Sequence, residues 1–168
     1  SSDGKTGDGA GILIEIPHDF FNTKCNFTLP NVREYAVGMV FLPQKENQRT
    51  YCIGVLESEI LKQQLSVIGW RKVPVNRNVV GKIAAQTEPY VMQIFIGKNE
   101  LEITEHEFNI KLFIARKASE HTISSSKLSQ AQYFYLSSLS INTLIYKGLL
   151  IPEDIKDYYP DLSEPSVI

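Results

Sequence analysis

The chain has 168 residues, enough for one domain with a real core, and its 43% hydrophobic and 21% charged content excludes disorder as a default. Seventeen Lys and Arg against nineteen Asp and Glu leave a net charge of −2 with no long run of either sign, so the chain carries no electrostatic footprint for nucleic acid. Two cysteines make no disulfide framework, no Cys/His cluster points to a metal, and no apolar run approaches the ~20 residues that span a bilayer.

In chain order, Asp3 to Gly11 holds four glycines in nine residues and predicts a tight loop rather than a regular element. Ile12 to Ile16 reads as a buried strand closed by Pro17, followed by a short helix over His18 to Asn22. Tyr35 to Leu42 is a second strand, ended by Pro43. From Glu46 to Leu65, the residues Cys52, Val55, Leu56, Ile60 and Leu61 recur at steps of three and four, which puts them on one helical stripe. Val67 to Val75 and Tyr90 to Ile96 are further strands. Thr104 with Glu107 forms a capping-box signature for a helix to about His121, ended by Ser124-Ser125-Ser126. Tyr133 to Leu139 and Thr143 to Tyr146 are extended runs separated by Ser140-Ile141-Asn142, a spacing that predicts an antiparallel hairpin. Pro152 opens a last short helix that Pro160 stops. Without repeats or a linker, the pattern is one α+β domain with antiparallel pairing.

Local motifs carry little chemistry. Gly4-Lys5-Thr6 resembles the end of a phosphate-binding loop, but the glycine that must precede it is absent and a strand follows where a helix is required. Asp3 and Asp8 lack the alternating carboxylates of a calcium loop, and turn capping accounts for them. His18, His106 and His121 show no metal-ligand spacing. Cys25 and Cys52 have no evident base or helix N-terminus to lower their pKa, and the phase of Cys52 makes it a core residue. Arg71 and Lys72 beside Trp70 form a potential anion or cation–π spot, for which a solvated strand rim is the plainer reading.

Several segments taken together resemble the N-terminal region of the glutamate synthase large subunit. They are Asp3 to Leu13 with Ile16 to Phe21, Tyr35 to Pro43, Gly69 to Val75, Thr87 to Pro89, Gln93 to Ile96, Leu112 to Lys117, Phe134-Tyr135 with Ser137 to Ser140, Ile145 to Leu150, and Tyr158 to Leu162. Each is weak alone, whereas their order and spacing cover nearly the whole chain.

The resemblance implies a class II glutamine amidotransferase domain with an N-terminal nucleophile hydrolase fold, in which two antiparallel sheets pack between helices. It implies covalent catalysis by an N-terminal cysteine that attacks the glutamine amide and releases ammonia. It further implies a parent enzyme that adds this ammonia to 2-oxoglutarate with FMN and an iron–sulfur cluster. Partners would be the rest of the large subunit and an NADPH-oxidising small subunit or ferredoxin.

None of the family's nucleophile, glutamine-binding or oxyanion-hole runs occurs in the sequence, and Cys25 and Cys52 match no catalytic position. Residues 1–168 are therefore expected to be an internal piece of that domain, inactive and poorly soluble when isolated. No residue is expected to be catalytic, to bind substrate or to hold metal. The loop Gly7-Asp8-Gly9-Ala10-Gly11 is expected to pack as a structural element near the nucleophile's strand, because glycine permits close backbone approach. The wording of Asp3 to Thr6 and Ile151 to Ile155 resembles bacterial subunits, implying a cytoplasmic location, with a plastid as the alternative. A non-catalytic binding or regulatory module on the same fold is the competing reading.

Overall fold

Strand β1 (Ala10–Glu15) leads into helix α1 (His18–Lys24), and strand β2 (Tyr35–Leu42) into helix α2 (Glu46–Lys62). Strands β3 (Ser66–Lys72) and β4 (Tyr90–Gly97) follow, then helix α3 (Glu105–Ser124), strands β5 (Tyr135–Ser140) and β6 (Thr143–Gly148), and the short helix α4 (Ile155–Tyr158). This computed structural model describes residues 9–79, 88–148 and 154–168. The expected helix start at Pro152 lies outside them.

The sequence is α+β with antiparallel pairing throughout the described sheets, as expected. One sheet has the order β3-β4-β2-β5, and β1 pairs with β6 in a second. All eight residues of β2 are buried because both of its faces are covered. Its alternation divides them: Tyr35, Val37, Met39 and Phe41 enter the core shared with the second sheet, while Ala36, Val40 and Leu42 enter the core under the helices. Helices α2 and α3 both contribute to that second core, so they lie on the same face of the larger sheet and cover one of its sides.

The helices form where their stripes meet this face. Cys52, Leu56 and Ile60 of α2 are buried, but Leu61 is 60% exposed and does not belong to the stripe. In α3, Phe108, Leu112, Ala115, Ser119 and Ile123 are buried. The Thr104 hydroxyl accepts the Glu107 N–H at 3.0 Å, satisfying one of the four unpaired donors at the helix start. The helix runs three residues beyond His121, to Ser124, with Ser125 as its C-cap.

The expected hairpin of Tyr133 to Leu139 with Thr143 to Tyr146 does not form a ladder. Strand β5 pairs with β2 and β6 with β1, so the two neighbours belong to different sheets. Serine hydroxyls link them instead: Ser137 Oγ donates to the Ile145 carbonyl at 2.7 Å, and Ile145 N–H donates to Ser138 Oγ at 3.0 Å. The register of β5 on β2 shifts between Met39 and Val40, leaving Ser137 without a partner there. Such a bulge reverses the face of every later residue. Phe134, Leu136 and Leu139 therefore all turn toward the helical core, and the period of two of a regular strand breaks at Ser137.

Pro160 both follows the end of α4 and opens a 3-10 turn, Pro160–Ser163. The segment from Asp154 onward packs through Ile155, Tyr158, Tyr159 and Leu162 into the core between the sheets.

Candidate functional site

The predicted glycine loop is shorter than expected on its C-terminal side. Ala10 and Gly11 are already strand, paired with Gly148 and Lys147, while Gly7 and Asp8 lie outside the described residues. Gly9 has φ of +136°, a backbone conformation that L side chains rarely adopt, which accounts for glycine where the chain enters β1. This entry lies beside the end of β6.

Beneath the two-stranded sheet is a buried polar network. Arg71 on β3 donates through both terminal nitrogens to the two Asp161 carboxylate oxygens, each at 2.8 Å. It also donates to Gln93 Oε1 at 2.9 Å. Gln93 donates to the Tyr146 hydroxyl at 3.1 Å, and Tyr146 donates to Asp161 at 2.7 Å. The Arg71 side chain is 11% exposed and the Asp161 side chain 4%. The ring of Phe20 lies 5.3 Å from the guanidinium, adding a cation–π contact.

Burial works against the charge of Arg71, but the hydrogen bonds and charge of Asp161 overcome it, and the Arg71 pKa is raised. The Tyr146 phenol is pushed far above its ordinary range, first by burial and then by the Asp161 charge. It remains protonated at neutral pH, so it acts as a hydrogen-bond donor rather than as an acid or base. No buried side-chain nitrogen or oxygen among the described residues lacks a partner. A network so completed fixes positions; it offers no free group to a substrate.

A second cluster holds the same C-terminal segment. Arg77 Nε donates to Glu88 at 2.9 Å, and the Tyr158 hydroxyl donates to the other Glu88 oxygen. Tyr159 donates to the Lys147 carbonyl at 2.6 Å.

The thiols lie apart. Cys25 packs against the core between the sheets, and Cys52 is wholly buried in the helical core. Burial pushes each up to about 11, with Arg71 lowering Cys25 only in part. His18 hydrogen-bonds Tyr35 at 2.8 Å and Asn22 at 3.1 Å, while His106 and His121 are exposed on α3. Among the described residues no group of three His, Cys, Asp or Glu side chains could hold a metal ion.

The solvated-rim expectation for Arg71 fails, because its partner is Asp161. Trp70 instead donates to Glu57 at 2.9 Å, and Lys72 lies 4.6 Å from the Tyr90 ring centre. Sequence reasoning missed Gln93, Tyr146 and Asp161, along with Glu88 and Tyr158. Their one available signal is that each falls in a segment that carries the family resemblance.

The family model for class-II glutamine amidotransferases matches residues 1–168. The glutamate synthase [NADPH] large chain of Bacillus subtilis is 40% identical over 168 residues, covering 99% of this chain and 11% of the relative. The glutamate synthase [NADH] of Saccharomyces cerevisiae is 36% identical, covering 97% of this chain and 8% of the relative. The chloroplastic ferredoxin-dependent glutamate synthase 2 of Arabidopsis thaliana is 38% identical, covering 96% and 10%. The chain thus spans about a tenth of the length of these relatives. With antiparallel sheets and helices in the arrangement described, it belongs to the class-II glutamine amidotransferase family.

Proposed function

We propose that this chain is a scaffold portion of the glutamine-hydrolysing, ammonia-releasing domain of a glutamate synthase, and that residues 1–168 are an internal piece of that domain. The observation that carries the scaffold reading is the state of the two thiols. Hydrolysis of a glutamine amide through a covalent intermediate needs a thiolate, and the thiolate fraction at neutral pH falls tenfold for each unit by which the pKa exceeds it. At about 11, Cys25 and Cys52 are held as thiols, in two different cores. The nucleophile is then a cysteine elsewhere in the polypeptide, and we place the described part of the predicted loop, Gly9 to Gly11, near its strand. By itself the segment has no glutaminase activity.

The rest of the parent's chemistry lies elsewhere as well. An iron–sulfur cluster takes several cysteine thiolates, which two separated, protonated cysteines do not supply, so the residues of this chain do not fit it. FMN, the cluster and the site of 2-oxoglutarate reduction belong to the remainder of the large subunit. Relatives are named for NADPH, NADH and ferredoxin, and this chain would work with one such donor, directly or through a small subunit. Among the described residues no helix is long and apolar enough to cross a membrane. The bacterial phrasing of the sequence favours a bacterial cytoplasm over a plastid.

Ammonia release from glutamine by the full-length polypeptide tests this reading. The Cys25→Ala and Cys52→Ala variants are expected to retain turnover at wild-type order, allowing for lost stability at Cys52. Abolition of the reaction in a folded Cys25→Ala protein would overturn it.

A further inference from the structure

Among the described residues the β1–β6 sheet has two strands, and a pair of strands alone is marginal in water. Its place is therefore imposed by what surrounds it. Ile145 and Lys147, two residues apart on β6, direct their backbone groups to the same side. There the Ser137 and Ser138 hydroxyls take the Ile145 carbonyl and N–H, and the Tyr159 hydroxyl takes the Lys147 carbonyl. Between them, Tyr146 donates beneath the sheet to Asp161, which Arg71 grips from β3.

The end of β6 pinned by Tyr146 and Tyr159 is the one that faces the entry into β1. Tyr146 pairs with Ile12, Lys147 with Gly11 and Gly148 with Ala10. A Cβ on Gly11 would stand 3.4 Å from the Tyr146 carbonyl, so the two backbones are close and a shift of one is passed to the other. The same guanidinium reaches the far end of β1 as well, lying 5.3 Å from the Phe20 ring and 5.9 Å from the Phe21 ring of α1, the helix that follows it. Apolar residues of similar volume often stabilise a fold as well as a buried ion pair does. What the forked Arg71–Asp161 pair adds is direction, because two parallel hydrogen bonds fix the carboxylate that receives Tyr146.

We propose that Tyr146, Tyr159 and the Arg71–Asp161 pair are positioning residues for glutamine hydrolysis. They hold the Gly9–Gly11 end of β1, and with it the neighbouring nucleophile strand, at the level that attack on the amide requires. This rests on the reading of the chain as part of the glutamine-hydrolysing domain. These side chains act through the backbone of β6 and β1 and touch no substrate. A misplacement of about 1 Å costs about a hundredfold in rate, so their loss falls on turnover. KM is spared, because under the same reading the residues that bind glutamine lie outside this chain.

The test measures ammonia release from glutamine by the full-length polypeptide. Tyr146→Phe and Tyr159→Phe each remove one hydroxyl and leave the ring in the core. Each is expected to lower kcat by about tenfold or more while KM stays within about twofold. The double variant Arg71→Met with Asp161→Leu separates positioning from stability: it is expected to melt near the wild type and still to turn over slowly. A merely structural role makes turnover follow the melting temperature. Wild-type kcat in the double variant would therefore overturn the proposal, as would wild-type kcat in both folded phenylalanine variants, or a loss confined to KM. If the double variant does not fold, the phenylalanine variants decide. Wild-type polypeptide that hydrolyses glutamine, with variants that match it, refutes the positioning role alone. Wild-type polypeptide that releases no ammonia refutes the parent reading.

Discussion

Asp161 accepts two hydrogen bonds from Arg71 and one from Tyr146 in a region closed to solvent, so its removal strands a guanidinium charge. Asp161→Asn is expected to destabilise the fold by roughly 3 to 5 kcal/mol, the range for breaking one side of a buried pair. The double variant Arg71→Met with Asp161→Leu should cost well under the sum of the singles, because it strands no charge. Urea midpoints measure both, and additive losses would show that the pair is not coupled. Cys52 gives a second expectation. Its pKa is raised from an ordinary 9 to about 11 in the folded chain, so its contribution is complete below pH 9 and is lost as pH rises to 11. Two units correspond to roughly 2 to 3 kcal/mol of alkaline destabilisation. A Cys52→Ala chain should be less stable throughout but should show a shallower fall over that window, which thermal midpoints between pH 8 and 11 will reveal. Cys52 was legible as a core residue from its helical phase, whereas Arg71 was not. Its partner is 90 residues away, and no local pattern records a pairing made only by the fold.

At the scale of elements, legibility follows the range of the forces involved. The bounds of β2 and β4 and the start of α3 were readable because short runs of apolar, strand-forming residues, Pro43 and the Thr104 cap act locally. Antiparallel pairing of the two late strands was also legible, but they joined separate sheets rather than one hairpin. What decided this is the bulge at Ser137 and the two serine hydroxyls that substitute for ladder bonds, neither visible as a period of two. Close contact also explains Gly69 on β3, where a Cβ would lie 2.4 Å from a ring carbon of Phe27. Phe27 is itself packed on Phe95, at 5.2 Å between ring centres. Gly69→Ala is therefore expected to cost about 1 to 3 kcal/mol through overpacking. Phe27→Leu in the same chain should recover part of that loss, measured by denaturant unfolding; no recovery would place the cause in the backbone.

Across the whole molecule, β2 separates two cores that contain no reactive thiol. One is covered by α2 and α3, and the other is shared with the β1–β6 sheet and bolted by the Arg71 network. The family and its antiparallel sheets were legible from ordered short segments spread along the chain. The network that joins β3, β4, β6 and the C-terminal turn was not, because its members become neighbours only when the sheets stack. Under the proposed function, this arrangement supports glutamine hydrolysis without supplying the nucleophile. An electrophilic glutamine analogue that alkylates the attacking thiol tests it most directly when applied to the full-length polypeptide, with the labelled peptide then identified by mass spectrometry. Stoichiometric, glutamine-protected labelling of a cysteine outside residues 1–168 is expected, with Cys25 and Cys52 unmodified. Glutamine-protected label on Cys25 or Cys52 would contradict it.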